Sequence, residues 1–267
     1  IYWDDIFMQS CFDTVGTEAY ELPDGRIQPS SGLFDMRELI RRTAIMDHEI
    51  GRTDIANQPH MTNTAIAPIL SFAGTQLSWE DKSGAQDYQD RWPREYVRAE
   101  SIGRQHGNVP FVLNLLADLP DPGTQEGKAK RAWLERTFAA SGLVHELRPN
   151  GRIEVYDNAL KILYEYGYGS DSASVYNYWD ESLPVRLSRN GASHLVVSKP
   201  GSAMVVVSDY GDGGDVLLTL DRKLFEADGP IAATDMESKQ PAEVTADGKV
   251  KVSLKKHDFK IVLLKGR

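Results

Sequence analysis

The chain has 267 residues, 41% hydrophobic and 26% charged, with 22 glycines and 13 prolines; this globular usage excludes a disordered, collagenous or coiled-coil chain. Thirty Lys and Arg against 39 Asp and Glu leave a formal charge of −9, so no basic field is present to attract nucleic acid or an anionic membrane. The single cysteine, Cys11, excludes an intrachain disulfide, no Cys/His spacing of zinc type occurs, and no apolar run approaches the ~20 residues of a membrane span.

In chain order, Ile1-Tyr2-Trp3-Asp4-Asp5-Ile6-Phe7-Met8 reads as a buried strand interrupted by two adjacent carboxylates. Residues 14–31 carry Gly16, Pro23, Asp24, Gly25 and Pro29, which predicts a long loop. Met36, Leu39, Ile40, Met46 and Ile50 recur at helical spacing before Gly51, predicting a helix over 33–50. Two short apolar runs, 53–57 and 69–74, predict strands leading into polar loops. A helix is expected over 96–106, a strand over 109–116, and helices over 125–140, ended by Gly142, and 154–166. Near-continuous apolar strands alternating with amphipathic helices predict a parallel α/β domain.

Beyond about Gly169 the pattern changes. The runs 195–197, 203–208, 216–221, 242–245, 250–254 and 260–264 are short and closely spaced, and turn signals such as Pro200-Gly201 and Asp247-Gly248 separate them. They predict an antiparallel β-domain, a sandwich. The aromatics Tyr164, Tyr166, Tyr168, Tyr176, Tyr178 and Trp179 fall around the changeover; they read first as packing between two domains, with a glycan cleft as the alternative.

In barrels of parallel strands the reacting groups gather where strands end. Asp4 and Asp5 follow the first strand, Asn57 and His60 the next, Trp79, Glu80 and Asp81 another, and Asn114 lies in the last. Paired carboxylates flanking a bond are the working part of most glycoside hydrolases. Asp4, Asp5 and Glu80 are therefore the candidate catalytic residues, and Trp3, Asn57, His60, Trp79 and Asn114 the candidate substrate contacts. If Asp4 and Asp5 both reach the site, their mutual repulsion raises the pKa of one. A Trp beside Glu80 desolvates its carboxyl toward the range of a general acid. The bland alternatives are loop caps for the aspartates, a surface turn for Glu80 and loop packing for His60. No metal ligand set and no cofactor is expected. Gly123-Thr124-Gln125-Glu126-Gly127-Lys128 is one residue short of a phosphate-binding loop. Asp209-Tyr210-Gly211-Asp212-Gly213-Gly214-Asp215 lacks the twelfth-position Glu of a calcium loop, and a hairpin turn is the better reading.

Taken together, Tyr2-Trp3-Asp4-Asp5, Met36-Arg37-Glu38-Leu39, His60-Met61-Thr62-Asn63-Thr64, Pro68-Ile69-Leu70-Ser71-Phe72-Ala73-Gly74 leading to Trp79-Glu80, and Tyr96-Val97-Arg98-Ala99-Glu100 resemble the glycoside hydrolase family 123-like proteins. The resemblance covers most of the first 165 or so residues. It implies a partial (β/α)8 TIM barrel, about strands four to eight, over residues 1–168, followed by an antiparallel β-sandwich over 169–267. It also implies that the upstream half of the barrel is missing, that the substrate is an oligosaccharide or polysaccharide, and that the protein is extracellular or periplasmic. In that family a neighbouring Asp-Glu pair ends the fourth strand: the Glu is acid/base and the Asp orients the substrate acetamido group. The matching positions are Asp4 and Asp5, so this chain has Asp where the pattern has Glu.

The expected activity is thus glycoside hydrolysis through paired carboxylates, N-acetylgalactosaminidase-like in its finest form. The competing expectation is a non-catalytic carbohydrate-binding or scaffold protein with a degenerate barrel. A third, a polysaccharide lyase, needs basic residues to neutralise a uronate, and the candidate loops supply few.

Overall fold

A computed structural model describes residues 1–6, 9–61, 67–78, 87–100, 107–113, 121–225 and 229–266. It divides into two compact units, Ile1–Asp81 with Glu100–Leu115, and Lys82–Ala99 with Leu116–Arg267. The first runs β1 (Tyr2–Trp3), β2 (Tyr20–Glu21), β3 (Ile27–Gln28), α1 (Leu33–Glu49), β4 (Gln58–Met61), α2 (Ala67–Leu70), β5 (Thr75–Ser78) and β6 (Val109–Val112). The second holds α3 (Tyr88–Arg91), α4 (Arg94–Glu100), α5 (Gln125–Val144), β7 (Arg148–Pro149), α6 (Glu154–Tyr166), β8 (Ser174–Asn177), β9 (Val185–Leu187), β10 (Ala192–Lys199), β11 (Ser202–Asp209), β12 (Gly214–Leu220), α7 (Arg222–Phe225), β13 (Ile231–Asp235), β14 (Val250–Leu254) and β15 (Phe259–Gly266).

In the first unit β1, β4, β5 and β6 lie side by side, all parallel. The apolar cluster Ile6, Ile40, Ile69, Leu70 and Ala73, with Trp3, Leu33, Met36 and Phe72 against it, joins strand ends to α1 and α2. The strand expected over 53–57 lies instead at β4, because its backbone pairs with β1 only from Gln58 on. The run 69–74 is not a strand: Ile69 and Leu70 belong to the short helix α2 and bury against α1. The strand that follows, Thr75-Gln76-Leu77-Ser78, is too polar to signal itself, and pairing on both sides with β4 and β6 makes it one. Inside the loop expected over 14–31, β2 and β3 form a small hairpin around Pro23-Asp24-Gly25.

The second unit is built on two antiparallel sheets, in the orders β13-β15-β11-β10-β8 and β14-β12-β9. Their inner faces share one apolar cluster, in which Val196, Val205, Val207 and Val262 meet Val216, Leu218, Val250 and Val252. Strands β10 and β11 are buried on both faces, since α5 packs against β10, β11 and β15. Helix α5 therefore belongs to the antiparallel unit, and compactness does not divide the chain at residue 168. Arg136 of α5 fastens this contact: its guanidinium pairs with Asp258, donates to Glu237 at 2.9 and 3.0 Å and to the Phe259 carbonyl at 3.0 Å, and lies over the Phe259 ring.

Gly142 does not end α5. It sits within the helix, where a Cβ would stand 3.3 Å from Tyr156 of α6, so its missing side chain lets the two helices approach. The segment Ala242–Thr245 forms one isolated bridge, Val244 to Val250, and no named strand. β8, β9 and β13 lack the clean alternation that the sequence criterion needs.

Candidate active site

Register decides which side chains meet at the strand ends. Tyr2 pairs with Gln58 and Trp3 with Pro59, so continuing the same offset sets Asp4 abreast of His60. Alternation then places Tyr2, Asp4 and His60 on one face of the sheet and Trp3 and Asn57 on the other. The contacts follow this parity. The Tyr2 hydroxyl donates to Asp4 Oδ1 at 2.8 Å, and His60 Nδ1 lies 2.9 Å from the same oxygen and 2.7 Å from the Tyr2 hydroxyl. The tyrosine has one proton and gives it to Asp4, so the consistent arrangement has His60 Nδ1 protonated and donating to the carboxylate and the phenol oxygen. His60 is buried, whereas Tyr2 and Asp4 are exposed.

The hydrogen bonds from His60 and Tyr2 hold the Asp4 carboxyl below the usual carboxylate range, assisted by the Asp5 backbone N–H at 3.1 Å. Repulsion from Asp5 does not raise it; two side-chain donors on one oxygen dominate. An ionised carboxylate at a strand end can act as nucleophile, base or acceptor for a substrate N–H or O–H, not as general acid. Asp5 occupies a left-handed turn, φ 50°, which turns the chain out of the strand and leaves its side chain in solvent.

On the opposite face the Trp3 indole donates to Asn57 Oδ1 at 3.0 Å, with Asn57 buried and Trp3 packed on the apolar cluster under α1 and α2. That pair joins sheet to helices. Trp79, Glu80, Asp81 and Asn114 lie outside the described residues. Tyr2 was not singled out by sequence, although its position two before Asp4 in a strand carries the signal.

The remaining motifs resolve into structure. Thr124 caps α5 by accepting from the Gly127 N–H at 3.0 Å, so the phosphate-loop look-alike is a helix start. The stretch from Asp209 joins strands of different sheets and is no hairpin turn. The Asp209 carboxylate, fully buried and paired with Arg189, accepts from the N–H groups of Gly211, Gly213 and His257. In the tyrosine-rich stretch, Tyr166 bonds Ser202, Tyr168 donates to Glu146, and Tyr178 bonds His145. Among the described residues one group, Asp87, Asp90 and His257, has ligand atoms close enough for a metal ion. Its Asp87 already caps α3 through Oδ1 and bonds His257 Nδ1 through Oδ2 at 2.6 Å. Burial works to raise the Asp87 pKa, but the bonds from His257 and the Asp90 N–H outweigh it and lower it.

No family model and no curated protein matches the chain. Solved structures do. A GH27 β-L-arabinopyranosidase from Geobacillus stearothermophilus, in complex with arabinose, superposes with a TM-score of 0.54 at 14% identity, covering 86% of this chain and 55% of that one. The wild-type form of that enzyme gives 0.51 at 14% identity over 86% and 54%. A noncanonic maltogenic α-amylase, AmyB from Thermotoga neapolitana, gives 0.50 at 9% identity over 86% and 59%. The chain thus spans little more than half of each enzyme and shares their fold. Among the described residues no helix is long and apolar enough to cross a membrane.

Proposed function

We propose that this chain is part of a glycoside hydrolase, in which β1, β4, β5 and β6 are strands of a (β/α)8 barrel and the two antiparallel sheets form a β-sandwich domain. The likeness in fold to three glycoside hydrolase structures supports the class. The observation that carries the site is the Asp4 carboxylate at the end of a parallel strand, held ionised by His60 from the neighbouring strand and by Tyr2. In this reading Asp4 accepts a polar hydrogen of the bound sugar or stabilises positive charge at the anomeric carbon. Asp5 or Glu80 supplies the proton to the leaving oxygen. The family 123-like resemblance makes the finer assignment an N-acetylgalactosaminidase-like enzyme, with Asp4 orienting the acetamido N–H.

Asp4→Asn, Asp5→Asn and Glu80→Gln, assayed singly against a panel of aryl glycosides that includes the GalNAc derivative, test this. A general acid/base or stabilising carboxylate contributes about 100-fold or more, and Asp4→Asn is expected to lose at least that while unfolding at the wild-type temperature. Full activity in all three variants overturns the assignment.

A further inference from the structure

In the second unit, Asp87, Asp90 and His257 meet where two distant segments of chain come together. Asp87 and Asp90 stand at the start of α3, and His257 lies in the turn between β14 and β15, 170 positions beyond Asp87. That separation is why no metal spacing shows in the sequence. The three residues have different parts. Asp87, 1% exposed, is fully engaged: its Oδ1 accepts from the Gln89 and Asp90 N–H groups at 3.1 and 2.7 Å, and its Oδ2 lies 2.6 Å from His257 Nδ1. A carboxylate only accepts, so Nδ1 carries the proton, and the lone pair of the neutral ring is on Nε2. The His257 backbone N–H is held as well, donating to Asp209 at 3.1 Å.

Nε2 is the ring atom left over. His257 is buried, yet Nε2 is not among the atoms sealed from solvent. It stands 3.8 Å from Asp90 Oδ1, too far for a hydrogen bond. The Asp90 carboxylate is 54% exposed and accepts no hydrogen bond among the described residues; its one other charged contact there is Lys256 Nζ, also at 3.8 Å. Ligand atoms about 2.0–2.2 Å from a tetrahedral zinc stand about 3.3 Å apart, so the 3.8 Å gap needs only a small closing movement of an exposed side chain. An imidazole that gives its other N–H to a buried carboxylate is the arrangement that orients a metal-bound histidine and raises its basicity.

We propose that His257 Nε2 and the Asp90 carboxylate form a binding site for a divalent cation of the zinc type, with Asp87 orienting the imidazole from behind and water completing the coordination. A nitrogen beside a carboxylate favours zinc over magnesium and calcium, which take oxygen ligands. A proton competes with the ion for the Nε2 lone pair, and the Lys256 ammonium competes with it for Asp90. Bound there, the ion ties α3 to the turn between β14 and β15. The site does not rest on the glycosidase reading, since binding is read without turnover.

Calorimetric titration of the chelator-treated intact protein at neutral pH, with Zn²⁺ and Mg²⁺ as probes, tests the assignment. Zn²⁺ is expected to bind saturably, with Mg²⁺ weaker by about a hundredfold or more. Asp90→Asn is expected to weaken Zn²⁺ by about tenfold or more. Lys256→Gln is expected to strengthen it by roughly threefold or more, because an ammonium about 4 Å from a ligand oxygen is felt even in water. Both side chains are half exposed, so both variants should unfold at the wild-type temperature without metal. Saturating Zn²⁺ should raise that temperature in the wild type and in Lys256→Gln, and less in Asp90→Asn. The proposal is overturned by absence of saturable Zn²⁺ binding, by Mg²⁺ binding as tightly as Zn²⁺, or by an Asp90→Asn variant that binds Zn²⁺ as the wild type does.

Discussion

His60 Nδ1 stands 2.9 Å from Asp4 Oδ1 across two parallel strands, so a buried imidazole at the end of one strand fixes the charge of an exposed carboxylate at the end of the next. The two residues are 56 positions apart in sequence. Only the register of β1 against β4 makes them neighbours.

This contact sets the titration of Asp4. Removing either donor should raise the Asp4 pKa toward its ordinary value, more in His60→Phe than in Tyr2→Phe, because the histidine bond is the larger cause. Carboxyl carbon shifts followed by NMR titration would read this. Tyr2 is half exposed, so the Tyr2→Phe variant should keep its fold; a pKa unchanged in both variants would show that these two donors are not what lowers it.

Arg136 should be hard to replace. Arg136→Ala strips partners from Asp258 and Glu237 and a donor from the Phe259 carbonyl, and about 2 kcal/mol or more of stability should go with them. Arg136→Lys should recover little, since a lysine cannot serve three acceptors in one plane. Urea denaturation of the three proteins checks both statements, and a fully stable alanine variant would show that α5 needs no such clamp.

At Gly213 both backbone and space demand glycine. Its φ is +78°, and a Cβ would stand 2.8 Å from the Lys256 nitrogen and 2.9 Å from the Leu254 carbonyl oxygen. Gly213→Ala should therefore cost about 1–3 kcal/mol or more, seen as a lowered thermal midpoint. Gly201→Ala, also at positive φ but with open space around its Cβ position, should cost less.

Acid should destabilise the second unit before the carboxylates of lowered pKa, Asp87 and Asp235, titrate. Burial lowers the pKa of His145 and His194 from 6.5 to about 4, so the folded state binds fewer protons than the unfolded state between those values. Stability is then fully present above about pH 6.5, falls as the unfolded histidines take up protons, and levels off near the folded value of about 4. Each site corresponds to about 3 kcal/mol across that window. Asp87 and Asp235, whose pKa values are lowered, lose their contribution only at lower pH. Urea midpoints measured from neutral pH downward should decline through this range, and His145→Gln should flatten the decline; a flat wild-type profile contradicts the assignment.

The sequence by itself determined the division between parallel α/β and antiparallel β patterns, the extents of α1 and α6, the start of α5, most of the long β-strands, and Asp4 and His60 as residues of interest. These follow from local periodicity and from chemistry visible at single positions. Tertiary structure decided what local pattern cannot hold. Thr75-Gln76-Leu77-Ser78 is a strand because two parallel neighbours pair with it, and Ile69 and Leu70 are helical because they bury under α1. Trp3 and Asn57 turn from Asp4 by alternation and serve the core, while Tyr2 joins Asp4 by the same rule. Helix α5 lies with the antiparallel sheets because Arg136 and its buried face find partners there. In each case the deciding energy comes from residues tens of positions away, which only the folded chain brings within hydrogen-bonding or packing distance.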